Sequence, residues 1–213
     1  MKKLVHGHGI NDLEYTVFTK NVTGKGQTCP FYSKWRSVLE RVYSEKLHNK
    51  YPTYKDASIC EEWLSASAFK QWMLHQPWEG NHLDKDILIL GNKLYSPETS
   101  RFVPSYVNRL LLTRGKARGE LPLGVNLYDP DSGTPYRAQV SNPLTQRNIH
   151  LGLFKTKEDA HWAWQESKAS QIEVVMDIYK DDKSFLQDVQ DALENRVNLL
   201  RECSRNQVLI NSL

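Results

Sequence analysis

Apolar positions recur along this chain with two different periods, and the change from one to the other organises it. Behind Pro30, residues Trp35, Val38, Leu39, Val42 and Tyr43 fall at i, i+3, i+4, i+7 and i+8, while Lys34, Arg36, Glu40, Arg41 and Glu45 lie off that stripe. The spacing predicts an amphipathic helix opened by a proline in its first turn. A second helix is expected over 61–76, burying Leu64, Ala68, Phe69, Trp72 and Met73. Residues 1–28 have no clear period and contain Gly7, Gly9, Gly24 and Gly26, which predicts an irregular arm with one edge strand near Tyr15 to Phe18. Between the helices, 50–55 reads as a loop with two tyrosines.

From His82 the period shortens. The stretch HLDKDILIL reads as an acidic strand that meets a turn at Gly91 and Asn92. The chain returns through Leu94 and Tyr95, turns at Ser96 and Pro97, passes Arg101, Phe102 and Val103, and enters a short helix at Pro104. Beyond residue 122 the alternation is strict. GVNLYD, PYRAQVSN and RNIHLGLF are separated by turn residues at 131–134 and 142–144. Val125, Leu127, Tyr136, Ala138, Val140, Ile149, Leu151 and Leu153 are the expected inward face; Asn126, Tyr128, Arg137, Gln139, Asn148 and His150 are the outward one. Thr156 and Asp159 then resemble a capping box, starting a helix with Ala160, Ala163 and Trp164 on one side.

The last apolar seam is Leu186, Val189, Leu193, Val197 and Leu200, with Ser184 as the expected cap. It is too short for an independent coiled coil, so packing within the monomer is favoured over a homodimer or a host-protein contact. The expected fold class is α+β: a helical N-terminal part leading into a ββα unit, then a three-stranded antiparallel sheet packed on a helix, then a C-terminal helix. The corresponding divisions are an arm at 1–28, a first domain at 29–114, a basic linker at 115–122, a second domain at 123–180 and a helix at 181–213.

A chain of 213 residues with 39% hydrophobic content can bury a real core. Its formal charge of +3 is too small to argue for a nucleic-acid partner by itself, so the placement of charge decides. Arg101, Arg109, Arg114, Lys116 and Arg118 fall within eighteen residues, and a cationic tether of this kind suits a phosphate backbone. No apolar run is long enough to span a bilayer, and polar residues from His6 to Asp12 spoil a secretory leader. A cytoplasmic protein is expected. Cys29, Cys60 and Cys203 are odd in number and far apart, which argues for reduced structural thiols.

Leu83-Asp84-Lys85-Asp86, then Gly91-Asn92-Lys93-Leu94-Tyr95-Ser96-Pro97-Glu98, then Arg101-Phe102-Val103 and Asn108, resemble the HNH family of ββα-metal endonucleases, in its phage-borne and intron-borne homing form. The segment from Trp35 through Arg41 to Tyr43 extends the resemblance over roughly residues 30 to 114. The resemblance implies a metal-dependent DNA endonuclease in which Asp84 and Asn108 hold a divalent cation, Mg2+ or Mn2+. It places Lys85 where the family has its general-base His, and Thr99 where a loop-bracing Asn belongs. These two departures keep a second reading open, a catalytically degenerate DNA-binding protein that regulates or inhibits a host protein.

The residues themselves add Asp86 as a further ligand and His82 as a substitute base, both sharing a strand face with Asp84. Lys85 acts as a base only if its pKa falls by several units, which two adjacent acids oppose; gripping a phosphate suits it better. In the second alternating stretch, Gly124-Val125, Tyr136-Arg137-Ala138, His150-Leu151-Gly152, Phe154 and the helix start at 156–164 resemble the ethylene-response-factor type of DNA-binding domain. That resemblance implies double-stranded DNA as partner. The outward-facing Asn126, Tyr128, Arg137, Gln139, Asn148 and His150 are the corresponding contacts. For a phage-borne enzyme the compartment is the host cytoplasm.

Overall fold

The computed structural model describes residues 4–20, 26–111 and 119–213, and the fold is α+β. The chain forms two compact units, one made of Met1–Asp86 with Asn92–Phe102, the other of Ile87–Gly91 with Val103–Leu213.

The first unit opens with the antiparallel pair β1 (Phe18–Lys20) and β2 (Gly26–Thr28). Helices α1 (Pro30–Tyr43) and α2 (Glu45–Lys50) follow. The α1 stripe packs as its spacing predicts: Trp35, Val38 and Leu39 are fully buried, with Val42 and Tyr43 against the same core. The second helix starts later than expected. Residues Glu61–Leu64 form a 3-10 turn, and α3 runs only over Ala66–Leu74. Ser65 causes the break, because its hydroxyl accepts the Ala68 N–H at 3.1 Å and caps α3. The arm is more ordered than its glycines suggest. Asp12 accepts hydrogen bonds from Ser65 Oγ, Ser67 Oγ and the Ser67 N–H at 2.7, 2.7 and 2.8 Å, tying the arm to the start of α3.

Four short strands complete this unit. Strand β3 (Ser58–Ile59) pairs in parallel with β5 (Leu94–Tyr95), and β4 (His82–Asp84) pairs with β6 (Arg101–Val103). The strand expected to continue to Leu90 stops at Asp84, where a turn begins. Trp63, Phe69, Met73, Tyr95 and Phe102 fill the core beside Trp35.

In the second unit α4 (Ser105–Leu110) precedes an antiparallel sheet with the order β7 (Val125–Leu127), β8 (Tyr136–Ser141) and β9 (Asn148–Phe154). Helix α5 (Lys157–Tyr179) covers one face, capped as expected by Thr156, whose hydroxyl accepts the Asp159 N–H at 3.1 Å. Helix α6 (Gln187–Arg205) buries Val189, Leu193, Val197 and Leu200 in the same core as Ile172, Val175 and Tyr179 of α5. The apolar seam is therefore satisfied within the unit. Ser184 does not cap α6; Leu186 occupies that position, while Ser184 is buried and donates to Asp182.

A β-bulge corrects the alternation. The register of β8 on β9 shifts between Ala138 and Gln139, so Ala138 faces Gly152 while Gln139 faces His150, and Leu151 is the extra residue. Leu153 consequently pairs with Arg137 on the polar face and is 41% exposed. Leu127 and Ile149, also expected inside, are 53% and 40% exposed at strand ends. His161 is fully buried on α5. Its Nε2 accepts the Ile210 N–H at 3.1 Å, so the ring proton sits on Nδ1 and is donated to the Leu123 carbonyl at 2.9 Å.

Gly124 has φ +75°, and a Cβ there would strike the Trp164 ring. Gly124→Ala combines backbone strain with overpacking, for an expected loss of about 2–4 kcal/mol. A urea titration followed by tryptophan fluorescence measures it; an unchanged midpoint would remove Gly124 from the packing of sheet on helix.

Candidate functional site

The turn that ends β4 brings two carboxylates together. Asp84 Oδ1 accepts the backbone N–H of Asp86 at 2.8 Å, closing an Asx-type turn. The two acids therefore meet through a turn rather than by sharing an extended strand face. Burial raises the Asp86 carboxyl, but the Lys85 ammonium, as ion pair and hydrogen-bond donor, helps to outweigh it and hold the group below its ordinary 3.8.

Lys85 is the clamp of this turn. It is only 7% exposed, and its Nζ donates to the Asn92 carbonyl at 2.7 Å and to Asp86 Oδ2 at 3.0 Å. Asn92 answers with its side chain, whose Nδ2 donates to the carbonyls of Lys85 and Leu94 at 2.6 and 2.7 Å and whose Oδ1 accepts the Leu94 N–H at 3.2 Å. Next to it, Thr99 Oγ1 donates to Leu94 O at 2.7 Å and lies 3.2 Å from Ser96 Oγ. The bracing of the loop is thus shared between Asn92 and Thr99. Both bonds commit the Lys85 ammonium to closing the loop between Asp86 and Asn92.

Two aromatic residues and a cation stand on the same side of the first unit. Arg41 Nη1 donates to Tyr95 Oη at 3.3 Å, and the guanidinium lies 5.8 and 6.0 Å from the ring centroids of Tyr54 and Tyr95. Burial opposes the Arg41 charge, but Tyr95, Tyr54 and the Asp84 carboxylate together outweigh it and raise its pKa. Burial drives the Tyr95 phenol up to about 12 in spite of Arg41, so it stays protonated. Periodicity placed Arg41 off the buried stripe; its position two turns from Lys34 was the available signal for a role.

His82 is exposed on β4, two residues before Asp84. Asn108 lies half-buried on α4, in the second unit, whereas Asp84 belongs to the first. Arg101 turns inward, donating from Nη1 to the carbonyls of Pro97 and Ser100 at 2.7 Å each. Arg109 donates from Nε to the Pro143 carbonyl at 2.9 Å. Both are structural ties of their loops. Arg114, Lys116 and Arg118 lie outside the described residues.

In the second unit the sheet face away from α5 is polar. Cross-strand pairs Asn126–Arg137, Gln139–His150 and Ser141–Asn148 share it. The Arg137 guanidinium lies 5.2 Å from the ring centroid of Tyr128, which is 58% exposed. All six outward residues expected from the sequence are exposed or half-exposed, joined by Leu153. Among the described residues no group of three or more His, Cys, Asp or Glu side chains is placed to hold a metal, and no helix is long and apolar enough to cross a membrane. No protein-family model, curated protein or solved structure matches the chain.

Replacing Lys85 by Met removes the partner of a buried carbonyl and of a carboxylate, an expected loss of about 1–3 kcal/mol at neutral pH. Because Asp86 has a depressed pKa in the folded chain, its share is present above 3.8 and vanishes as pH falls through the folded value. Urea titrations of the parent and Lys85→Met at pH 7 and pH 3 should show the gap narrowing in acid. A gap that is constant with pH would mean the pairing with Asp86 adds nothing.

Proposed function

We propose that the protein is a metal-dependent DNA endonuclease of the HNH type, phage-borne and acting in the host cytoplasm, whose polar sheet face carries it to duplex DNA. The observation that supports this most is the Asp84 turn: a buried ammonium and an Asn side chain are both committed to fixing two carboxylates at one point of the chain. A set of fixed carboxylate oxygens suits Mg2+ better than zinc or iron, which prefer softer or nitrogen-rich ligands. Asp84 would hold the ion. Asp86, whose Oδ2 is engaged by Lys85, adds charge beside it. When bound, the ion supplies charge neutralisation at a nonbridging phosphate oxygen and help to the leaving 3′ oxygen. With Lys85 engaged, His82 is the group on this strand suited to take a proton from the attacking water.

The face bearing Arg137, Gln139, Asn148 and His150 offers guanidinium, carboxamide and imidazole groups to base edges and phosphates. The Tyr128 ring, 5.2 Å from the Arg137 guanidinium, limits that group's freedom before it binds. The residues that carry the ethylene-response-factor resemblance, Gly124-Val125, Tyr136-Arg137-Ala138, His150-Leu151-Gly152 and Phe154, lie in this sheet and the turn before it.

One observation favours the second reading, a DNA-binding protein without cleavage that acts on a host protein. Lys85 occupies the position of the base and is consumed by the loop.

Supercoiled plasmid incubated with Mg2+ or Mn2+ separates the two. The parent is expected to nick or linearise it and Asp84→Ala to lose at least 100-fold, about 2.7 kcal/mol of barrier; intact, salt-sensitive DNA binding without cleavage by the parent would leave the binder. Arg137→Ala is expected to weaken duplex binding by roughly tenfold or more, on the order of 1–3 kcal/mol, with its thermal unfolding unchanged. A gel-shift titration reads this, and equal affinities would dismiss the sheet face as the DNA contact.

A further inference from the structure

Helix α1 carries two half-buried cations on one face. Lys34 and Arg41 are seven residues apart, two turns along the helix. The Lys34 ammonium donates to the Asn81 carbonyl at 2.9 Å and lies 5.6 Å from the ring centroid of Phe102. Burial lowers its pKa, and the Arg41 charge lowers it further. The Arg41 guanidinium donates to the neutral Tyr95 hydroxyl. Burial of the Lys34 ammonium near a like charge is costly when its nearest partners are a carbonyl and an aromatic face. The Asp84 carboxylate contributes to the field that favours the Arg41 charge.

Such a pair is completed by an anion. A guanidinium retains donors in a planar fork after giving one N–H to a phenol, and that fork matches two oxygens of a phosphate. Tyr95, protonated and accepting from Arg41, keeps its own hydroxyl proton to donate. Tyr54 and Tyr95 flank the guanidinium and exclude water from one side of it.

We infer that Arg41 and Lys34, with Tyr95 orienting Arg41, form an anion clasp for a phosphodiester of the DNA backbone. The choice of a phosphodiester rests on the nuclease reading, since Asp84 lies within the field of Arg41 and the clasp would hold substrate next to it. Arg41 and Lys34 touch the ligand; Tyr95 is a positioning residue.

The test needs neither metal nor cleavage. The full chain, free of metal, is titrated with a thymidine dinucleotide phosphodiester, while the backbone amide resonances of α1, present in every variant, and in the parent also the Arg41 Nε–H resonance, are followed by nitrogen-15 NMR. A parallel titration uses inorganic phosphate. The dinucleotide should shift those resonances saturably. Arg41→Lys, which keeps the charge but loses the fork, and Lys34→Gln should each weaken binding by roughly tenfold, an effect of about 1.4 kcal/mol, with the thermal midpoint within the parent's range. If Arg41→Lys unfolds, Lys34→Gln alone decides. Tyr95→Phe should weaken binding less than Arg41→Lys does, a difference that a purely structural role would not produce. Absence of a shift, or equal binding by parent and variants, overturns the clasp; binding of inorganic phosphate alone overturns the assignment to the DNA backbone. A parent that binds the dinucleotide through Arg41 yet never cuts plasmid disproves the nuclease and leaves the clasp standing.

Discussion

The first unit depends on a cation placed where cations are seldom found. Lys85 is almost fully buried, and its ammonium joins two points of the chain that are seven residues apart, the turn at Asp86 and the carbonyl of Asn92. A lone ammonium in that position would be severely destabilising. Paired with a carboxylate and a carbonyl, it instead fixes where β4 ends and how the chain comes back into β5. The position of the Asp84 carboxylate follows from that closure. Asn92 reinforces it from the other side with bonds to both flanking carbonyls, so the loop has little freedom to reorient its acids.

The same closure decides which of the adjacent residues are available for chemistry. A charged group that holds a loop together is unsuited to exchanging protons, and a carboxylate paired with it gives up part of its capacity as a ligand. Asp84 and His82 lie on the same strand, with Arg41 within the field of the Asp84 carboxylate. In the second unit the division is simpler, because the covering helix takes the apolar face of the sheet and leaves the polar one to solvent. The two units thus offer different things, a fixed acidic turn in one and a flat donor-rich surface in the other.

Much of this was legible in the residues. The α1 stripe, the Thr156 cap, the α6 seam and the polar face of the sheet all follow from period and capping chemistry, which are local. What escaped was set by partners distant in sequence. Nothing in HLDKDILIL announces that the strand stops at Asp84, because the stop comes from an Asx turn and from Asn92 beyond the loop. Ser65 divides the second helix since Asp12, from the arm, stabilises the capped start of α3. A bulge beside Gln139 cannot be inferred from alternation, which assumes that no residue is skipped; Leu153 moved to the outer face for that reason. Arg41 looked like a solvated position because helical period locates a stripe, whereas its neighbours Tyr54 and Tyr95 arrive from later segments.

His161 has a consequence for the end of the chain. Its ring joins the Leu123 carbonyl, just before β7, to the Ile210 amide, and Gln165 adds a bond to the Val208 carbonyl. Residues that would pass for a dispensable tail therefore complete the polar interior of the second unit. Trimming by a protease at this point would strand an imidazole lone pair in a dry environment, and the Ile210 amide should resist exchange with deuterium as though it belonged to a central strand.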